Sequence, residues 1–123
     1  MIAIPEPSHV RIAIYATGTP AGFPPEGIAI GDRPYAYFGS RADGAILRDH
    51  TLYVVQNLLD KIAKIELNRD ATAGTVVSTT TDKAFDTPTT IAEYDGRLYP
   101  PNARFTTPVA PETRYDAVGI KIP

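Results

Sequence analysis

The chain has 123 residues, with 12 basic and 14 acidic side chains, 43% hydrophobic residues and no cysteine. This length suits one folded domain with its own core. The formal net charge of −2 excludes the dense basic surface that nucleic acid requires, and the lack of cysteine excludes disulfides and thiolate metal sites. No apolar run reaches the roughly 18 residues of a membrane span, and the first ten residues are too polar for a signal peptide, so we expect neither a membrane partner nor a secretory address.

Proline and glycine, 12 and 9 residues, divide the chain into short elements. Apolar residues alternate with polar ones between them, which is typical of strands. The predicted strands, in chain order, are 10–15, 27–30, 35–38, 45–47, 51–56, 74–79, 89–94, 97–99 and 115–122. Loops rich in proline, threonine and acidic residues are predicted at 82–88 and 106–113.

The segment 58–67 is ambiguous. Leu58 and Ile62 fit a helical stripe, whereas Ala63 and Leu67 fit one face of a strand. We favour a strand, because the segment follows a β-branched, aromatic run and ends at a polar turn.

Three segments, 25–35, 42–53 and 88–99, share a hairpin-like pattern that ends in an apolar-Tyr pair. Tyr53 and Tyr99 lie 46 residues apart, about the length of one four-stranded propeller blade. Propellers close with about four to eight blades, and this chain has room for only two or three. We therefore predict an all-β fold of four-stranded antiparallel, propeller-like blades in an incomplete ring. An N-terminal strand and loop, 1–22, would precede a partial propeller domain, 23–123.

Several motifs carry a family resemblance. The strings Pro-Pro-Glu-Gly-Ile-Ala-Ile-Gly at 24–31 and Gly-Ser-Arg-Ala-Asp-Gly-Ala-Ile at 39–46 resemble the opening blade of six-bladed propellers of the gluconolactonase, senescence-marker-protein and luciferin-regenerating-enzyme-like superfamily. Similarity to the closing blades of these proteins continues in the segments 51–57, 74–77, 85–92, 96–99 and 102–105. Members are usually more than twice as long, so the chain resembles a strongly shortened propeller that lacks its middle blades.

The resemblance implies a metal-dependent lactone or ester hydrolase, with an activity that the shortened chain has either kept or lost. The metal of this family is a divalent cation, usually calcium, and Glu26 and Asp43 match its Glu-Gly and Asp-Gly ligand motifs. Calcium takes about six to eight oxygens, so a second chain would have to supply further ligands. The alternative is that both residues are solvated side chains at strand starts.

Asn102 and Arg104 are the candidate substrate-binding residues. An arginine can bind a carboxylate through two parallel hydrogen bonds. The alternative role for Arg104 is to anchor the loop that follows Pro101. The two histidines, His9 and His50, are too few for a three-histidine zinc site.

An incomplete ring would leave strand edges exposed, so we expect a homo-oligomer, most simply a dimer that closes the ring. The alternative is a small open sheet or barrel that covers its own edge and has lost the function of the family together with its channel. The competing function is a non-catalytic binding or interaction protein, in which the loops at 17–25, 82–88 and 106–113 recognise a partner or a small molecule. A degenerate or engineered fragment without a selected activity is the third interpretation.

Overall fold

The computed structural model describes residues 43–123 with their side chains and, before them, the backbone of four strands. These strands are β1 (Ile2–Ala3), β2 (Arg11–Ala16), β3 (Gly27–Ile30) and β4 (Tyr35–Ser40). They form an antiparallel sheet in the order β1-β2-β4-β3. Because β2 pairs with β4, the predicted N-terminal segment 1–22 contributes a strand to the same sheet as the segment that follows it.

The central sheet is a four-stranded antiparallel meander. Its strands are β5 (Gly44–Arg48), β6 (Thr51–Gln56), β7 (Lys61–Leu67) and β8 (Gly74–Thr81). A 3₁₀ turn, Asn57–Leu59, joins β6 to β7 and ends at Asp60 in the left-handed conformation. The strand interpretation of the ambiguous segment is therefore confirmed from residue 61 onward, whereas residues 58–60 belong to the turn.

The third sheet is small and has the order β11-β10-β9, with β9 (Ala92–Tyr94), β10 (Arg97–Tyr99) and β11 (Ile120–Lys121). Asp95 and Gly96 both have positive φ, 47° and 73°, as a type I′ hairpin turn requires. The strands predicted at 89–94 and 115–122 are longer than those observed. The reason is that the backbone at either side of the sheet bonds to other loops, as in Asn102 N to Asp116 O, 2.8 Å.

The side chains of β6 and β7 point alternately into two apolar clusters, one on each face of the central sheet. The first cluster comprises Leu52, Val54, Ala63, Ile65, Leu67 and Ala71. The second joins the central sheet to the third sheet and comprises Tyr53, Val55, Ile62, Phe85, Ile91, Leu98 and Ile120. The continuous apolar run in β6 thus follows from burial on both faces.

Neighbouring sheets meet through their edge strands. β3 lies beside β5. β5 also contacts the segment 90–93, which runs into β9. At one end of β5, a Cβ on Gly44 would lie 2.5 Å from Thr90 Cα; at the other, Arg48 Nε contacts Glu93 Oε2 at 2.7 Å. These two contacts show that β5 and β9 run in the same direction.

The all-β, antiparallel prediction is confirmed, since the described part of the chain holds no α-helix. The strands that it describes form three separate sheets and do not close into a barrel or propeller. No helix within these residues has the length and apolar character that a membrane crossing would need.

Candidate functional site

One end of the central sheet collects most of the polar residues that the sequence singles out. β5 begins there, β6 ends there, β7 begins there and β8 ends there, because the strands form a meander. We call this the loop end and define it by five segments, namely Asp43, the turn at 57–60, and the loops at 82–90, 101–107 and 113–117. The last three segments are joined to one another by hydrogen bonds.

Asn102 ties three of these segments together. The residue is buried, with 2% of its surface exposed. Its Oδ1 accepts from the backbone N–H of Asp86 at 2.9 Å, and its Nδ2 donates to the carbonyl of Ala84 at 2.8 Å and to Asp116 Oδ1 at 3.0 Å. The amide therefore bonds to backbone groups in the 82–90 loop and to a carboxylate in the 113–117 loop at once. The backbone N–H of Asn102 donates to the Asp116 carbonyl at 2.8 Å and holds the 113–117 loop in place.

Arg104 lies beside this amide and carries two ion pairs. Its Nη1 contacts Asp86 Oδ2 at 2.8 Å and its Nη2 contacts Asp116 Oδ1 at 3.3 Å. Its backbone N–H also donates to the carbonyl of Asp86 at 3.1 Å. These are the contacts of an arginine that anchors its own loop. The substrate-binding role of Asn102 and Arg104 stays a prediction, but the structure does bring the two side chains together on one carboxylate.

The backbone around this network is strained. Of the six non-glycine residues with positive φ in the described residues, three belong to it: Asp60 at 50°, Thr87 at 54° and Arg104 at 50°. A β-branched residue such as Thr87 rarely adopts this conformation. Asp60 Oδ1 accepts from Thr87 N–H at 2.7 Å, and the Thr87 carbonyl accepts from Ala103 N–H at 2.9 Å, which holds the strained peptide in place. Strain of about 1–3 kcal/mol per residue persists only where its surroundings impose it, and it is frequent at functional sites.

Asp43, one of the two predicted metal ligands, lies at the loop end immediately before β5. Its backbone N–H donates to the carbonyl of Val55 at 2.9 Å. Partial burial raises the pKa of its carboxyl above the ordinary aspartate value, and a hydrogen bond from the Thr90 backbone N–H partly opposes this shift. Glu26, the other predicted ligand, lies outside the described residues. Within the described range, no three histidine, aspartate or glutamate side chains are grouped so that they could hold a metal ion.

The remaining candidates lie elsewhere. His50 is exposed in the turn between β5 and β6, at the opposite end of the central sheet. His9 and the 17–25 loop lie outside the described residues. A shallow cavity of about 290 Å³ is also found at that opposite end, lined by Glu66, Asn68 and Thr75 among others. It contains none of the predicted site residues.

Sequence reasoning did not assign a role to Asp60, Asp86 or Asp116, which complete the network around Asn102 and Arg104. Asp60 lies 27 residues before Thr87, whose N–H donates to it. Asp86 lies 16 residues before Asn102, and Asp116 lies 14 residues after it. The only local signal was the position of Asp86 within a motif that resembles the propeller family, and nothing around Asp60 or Asp116 indicates such a partner.

Comparison of the chain with protein-family models, with curated proteins and with solved structures gave no match.

Proposed function

We propose that this chain is a non-catalytic binding protein built from propeller-like blades and that the loop end is its recognition surface. The observation that carries the proposal is the buried Asn102, whose side-chain amide and backbone N–H together fasten the 82–90, 101–107 and 113–117 loops into one arrangement. A surface whose loops are fixed before binding loses little conformational entropy when it binds. The strained backbone of Asp60, Thr87 and Arg104 supports the same conclusion.

The blade interpretation is supported by the edge strands. β3, β5 and β9 each lie at the edge of a different sheet. β5 lies next to β3, and it approaches β9 through the close contact of Gly44 with Thr90 and the ion pair of Arg48 with Glu93. The innermost strands of neighbouring propeller blades have this relation. We propose that the three sheets are blades of an incomplete ring and that a second copy completes it as a twofold dimer. Light scattering after size-exclusion chromatography tests the dimer, which a monodisperse monomer at micromolar concentration would rule out.

A metal-dependent lactone or ester hydrolase is the second candidate, and the position of Asp43 favours it. A partly buried carboxylate at the start of an edge strand is a suitable ligand for a divalent cation. The fit is incomplete, however. Asp86 and Asp116 are already paired with Arg104. Of the loop-end carboxylates that the sequence predicts as ligands, the described residues therefore supply Asp43 alone, whereas calcium takes about six to eight oxygen ligands. For this reason we rank the binding function first.

One experiment separates the two functions. The protein is titrated with a panel of lactones and the corresponding hydroxy acids while acid release is recorded, because hydrolysis of a lactone produces an acid. Backbone amide NMR spectra are collected in parallel. The binding function predicts that only loop-end amide resonances shift and that acid is released no faster than in buffer.

The hydrolase function predicts acid release that depends on calcium and is lost in Glu26→Ala and Asp43→Asn. Calcium binding should also raise the midpoint of thermal unfolding in the unmodified chain and not in these variants. If no compound in the panel shifts a loop-end amide resonance, the binding of lactones and hydroxy acids at the loop end is ruled out. If no divalent cation shifts the midpoint, the metal-dependent function is ruled out.

A further inference from the structure

Two donors converge on a single carboxylate oxygen at the loop end. Asn102 Nδ2 lies 3.0 Å and Arg104 Nη2 lies 3.3 Å from Asp116 Oδ1. A neutral amide donor next to a guanidinium donor is an arrangement that suits recognition of a carboxylate. Here the carboxylate comes from the chain itself.

The donors are held in place by partners other than Asp116. Asn102 is buried, and its amide also bonds to Asp86 and Ala84. Arg104 is oriented by the 2.8 Å contact of Nη1 with Asp86. Its Nε is buried and has no hydrogen-bond partner, so the guanidinium has donor capacity that the intramolecular contacts do not use. Removal of the Asp116 side chain would therefore leave both donors close to their present positions.

Asp116, by contrast, is held mainly through its backbone. Its carbonyl accepts from Asn102 N–H at 2.8 Å, and the next residue, Ala117, forms a β-bridge with Pro101. Its side chain is 55% exposed and its contact with Arg104 is the longer of the two ion pairs. A rotation of this side chain into solvent would free the two donors without moving the loop.

We propose that Asn102 Nδ2 and Arg104 Nη2 form a binding site for the carboxylate of a small organic acid, and that Asp116 fills this site in the free protein. The ligand replaces the Asp116 carboxylate on the same two donors, while Asp86 keeps the guanidinium oriented. The proposal rests on the proposed binding function of the loop end, and it specifies the chemical class of the ligand.

The test uses Asp116→Ala with acetate as the probe. The variant leaves the backbone bonds in place and opens the site. We expect its midpoint of thermal unfolding to fall, and acetate to restore it in a saturable manner. Chloride at the same ionic strength should restore it much less, because a carboxylate oxygen accepts shorter and stronger charge-assisted hydrogen bonds from these donors than the larger chloride ion does. The unmodified chain should respond to acetate only weakly, since its own carboxylate competes.

Three variants serve as controls. Glu112→Ala removes an exposed carboxylate from the same region and should show no response specific to acetate. Asp116→Asn keeps a side-chain oxygen in the site and should respond much less than Asp116→Ala. Asp116→Ala combined with Arg104→Gln should lose the response, and where that double variant does not fold, Asp116→Ala with Arg104→Lys replaces it and should respond more weakly.

The proposal is overturned if acetate and chloride act equally on Asp116→Ala, or if acetate acts equally on Asp116→Ala and Glu112→Ala. The acetate test of Asp116→Ala does not depend on the outcome of the lactone and hydroxy-acid panel. A failed panel with a successful acetate response would remove the proposed binding function of those compounds and leave the carboxylate site intact. A successful panel without a specific acetate response would overturn the carboxylate site and leave the proposed binding function of the loop end.

Discussion

At the scale of single residues, the loop end depends on one arginine. Arg104 contributes two ion pairs and a backbone hydrogen bond, and its side chain is half-buried. Such a group stabilises the fold less through charge attraction than through the penalty of leaving its partners unpaired when it is removed.

We therefore expect Arg104→Ala to lower the free energy of unfolding by about 1–3 kcal/mol. Arg114→Ala is the matched control, because Arg114 is exposed in the same part of the chain, and it should change stability by less than about 0.5 kcal/mol. Chemical denaturation monitored by circular dichroism measures both. Equal effects of the two variants would contradict the anchoring role.

Asp43 predicts a dependence of stability on pH. Burial raises the pKa of its carboxyl in the folded state, so folding favours the protonated form. The stabilising contribution is complete below the ordinary aspartate pKa and is lost as the pH rises through the raised value. Asp43→Asn, which cannot ionise, should therefore raise the unfolding midpoint at about pH 7 and have a much smaller effect at about pH 3.

Thermal unfolding across this pH range provides the measurement. Asp95→Asn removes the same charge at an exposed turn and controls for the change in net charge. A gain in Asp43→Asn that is as large in acid as at neutral pH would show that the carboxyl does not cause it.

The sequence identified Asn102 and Arg104 as functional candidates but not what they touch. Both were conspicuous because an amide and a guanidinium stand in a short motif between two proline-rich stretches. Their partners Asp60, Asp86 and Asp116 come from three other loops, and only the folded chain brings these loops together. Sequence spacing indicates contacts within a helix or a hairpin, whereas contacts between distant loops leave no periodic signal.

At the scale of elements, strand positions were predictable where alternation is regular. The bounds of β3, β6 and β10 match the predicted 27–30, 51–56 and 97–99. The Asp95-Gly96 turn was predictable from its dipeptide alone. The overestimates at 89–94 and 115–122 share a cause: these segments contain alternating apolar residues, but part of their backbone bonds to loops instead of to a neighbouring strand.

The close approach of β5 to the 82–90 loop gives a test at this scale. A Cβ on Gly44 would lie 2.5 Å from Thr90 Cα, so Gly44→Ala must push backbone apart. We expect a loss of about 1–3 kcal/mol in the free energy of unfolding, together with a shift of the Thr90 amide resonance.

Gly96→Ala is the matched control, since it also adds one methyl group. No atom lies within 4 Å of that position, and the cost comes only from the positive φ of 73°. It should lower stability by about 1 kcal/mol and leave the Thr90 resonance unchanged. A normal Thr90 resonance in Gly44→Ala would contradict the close approach.

At the scale of the whole molecule, the central sheet is the structural centre of the described residues. Leu52 belongs to the cluster on one of its faces, and Leu98 belongs to the cluster that joins it to the third sheet. The sequence indicated two or three blades from the 46-residue spacing of Tyr53 and Tyr99. It predicted an incomplete ring but not how the three sheets lie against one another, because the angles between sheets are not determined by a repeat length.

If the central and third sheets form one cooperative unit, Leu52→Ala and Leu98→Ala should each lower the midpoint of one and the same unfolding transition. Each removes a fully buried side chain, and we expect each to lower the free energy of unfolding by about 2–5 kcal/mol. Leu58→Ala is the control, because Leu58 is 78% exposed, and its effect should be below about 0.5 kcal/mol. Two separate transitions in either variant would show that the sheets unfold independently.

The cluster between the central and third sheets also has a consequence during synthesis on the ribosome. Tyr53, Val55 and Ile62 are translated early, whereas the cluster that covers them requires Leu98 and Ile120. At about 5–20 residues per second, several seconds separate Ile62 from Ile120. Throughout that interval the nascent chain presents an uncovered apolar sheet face, which is the kind of surface that molecular chaperones bind.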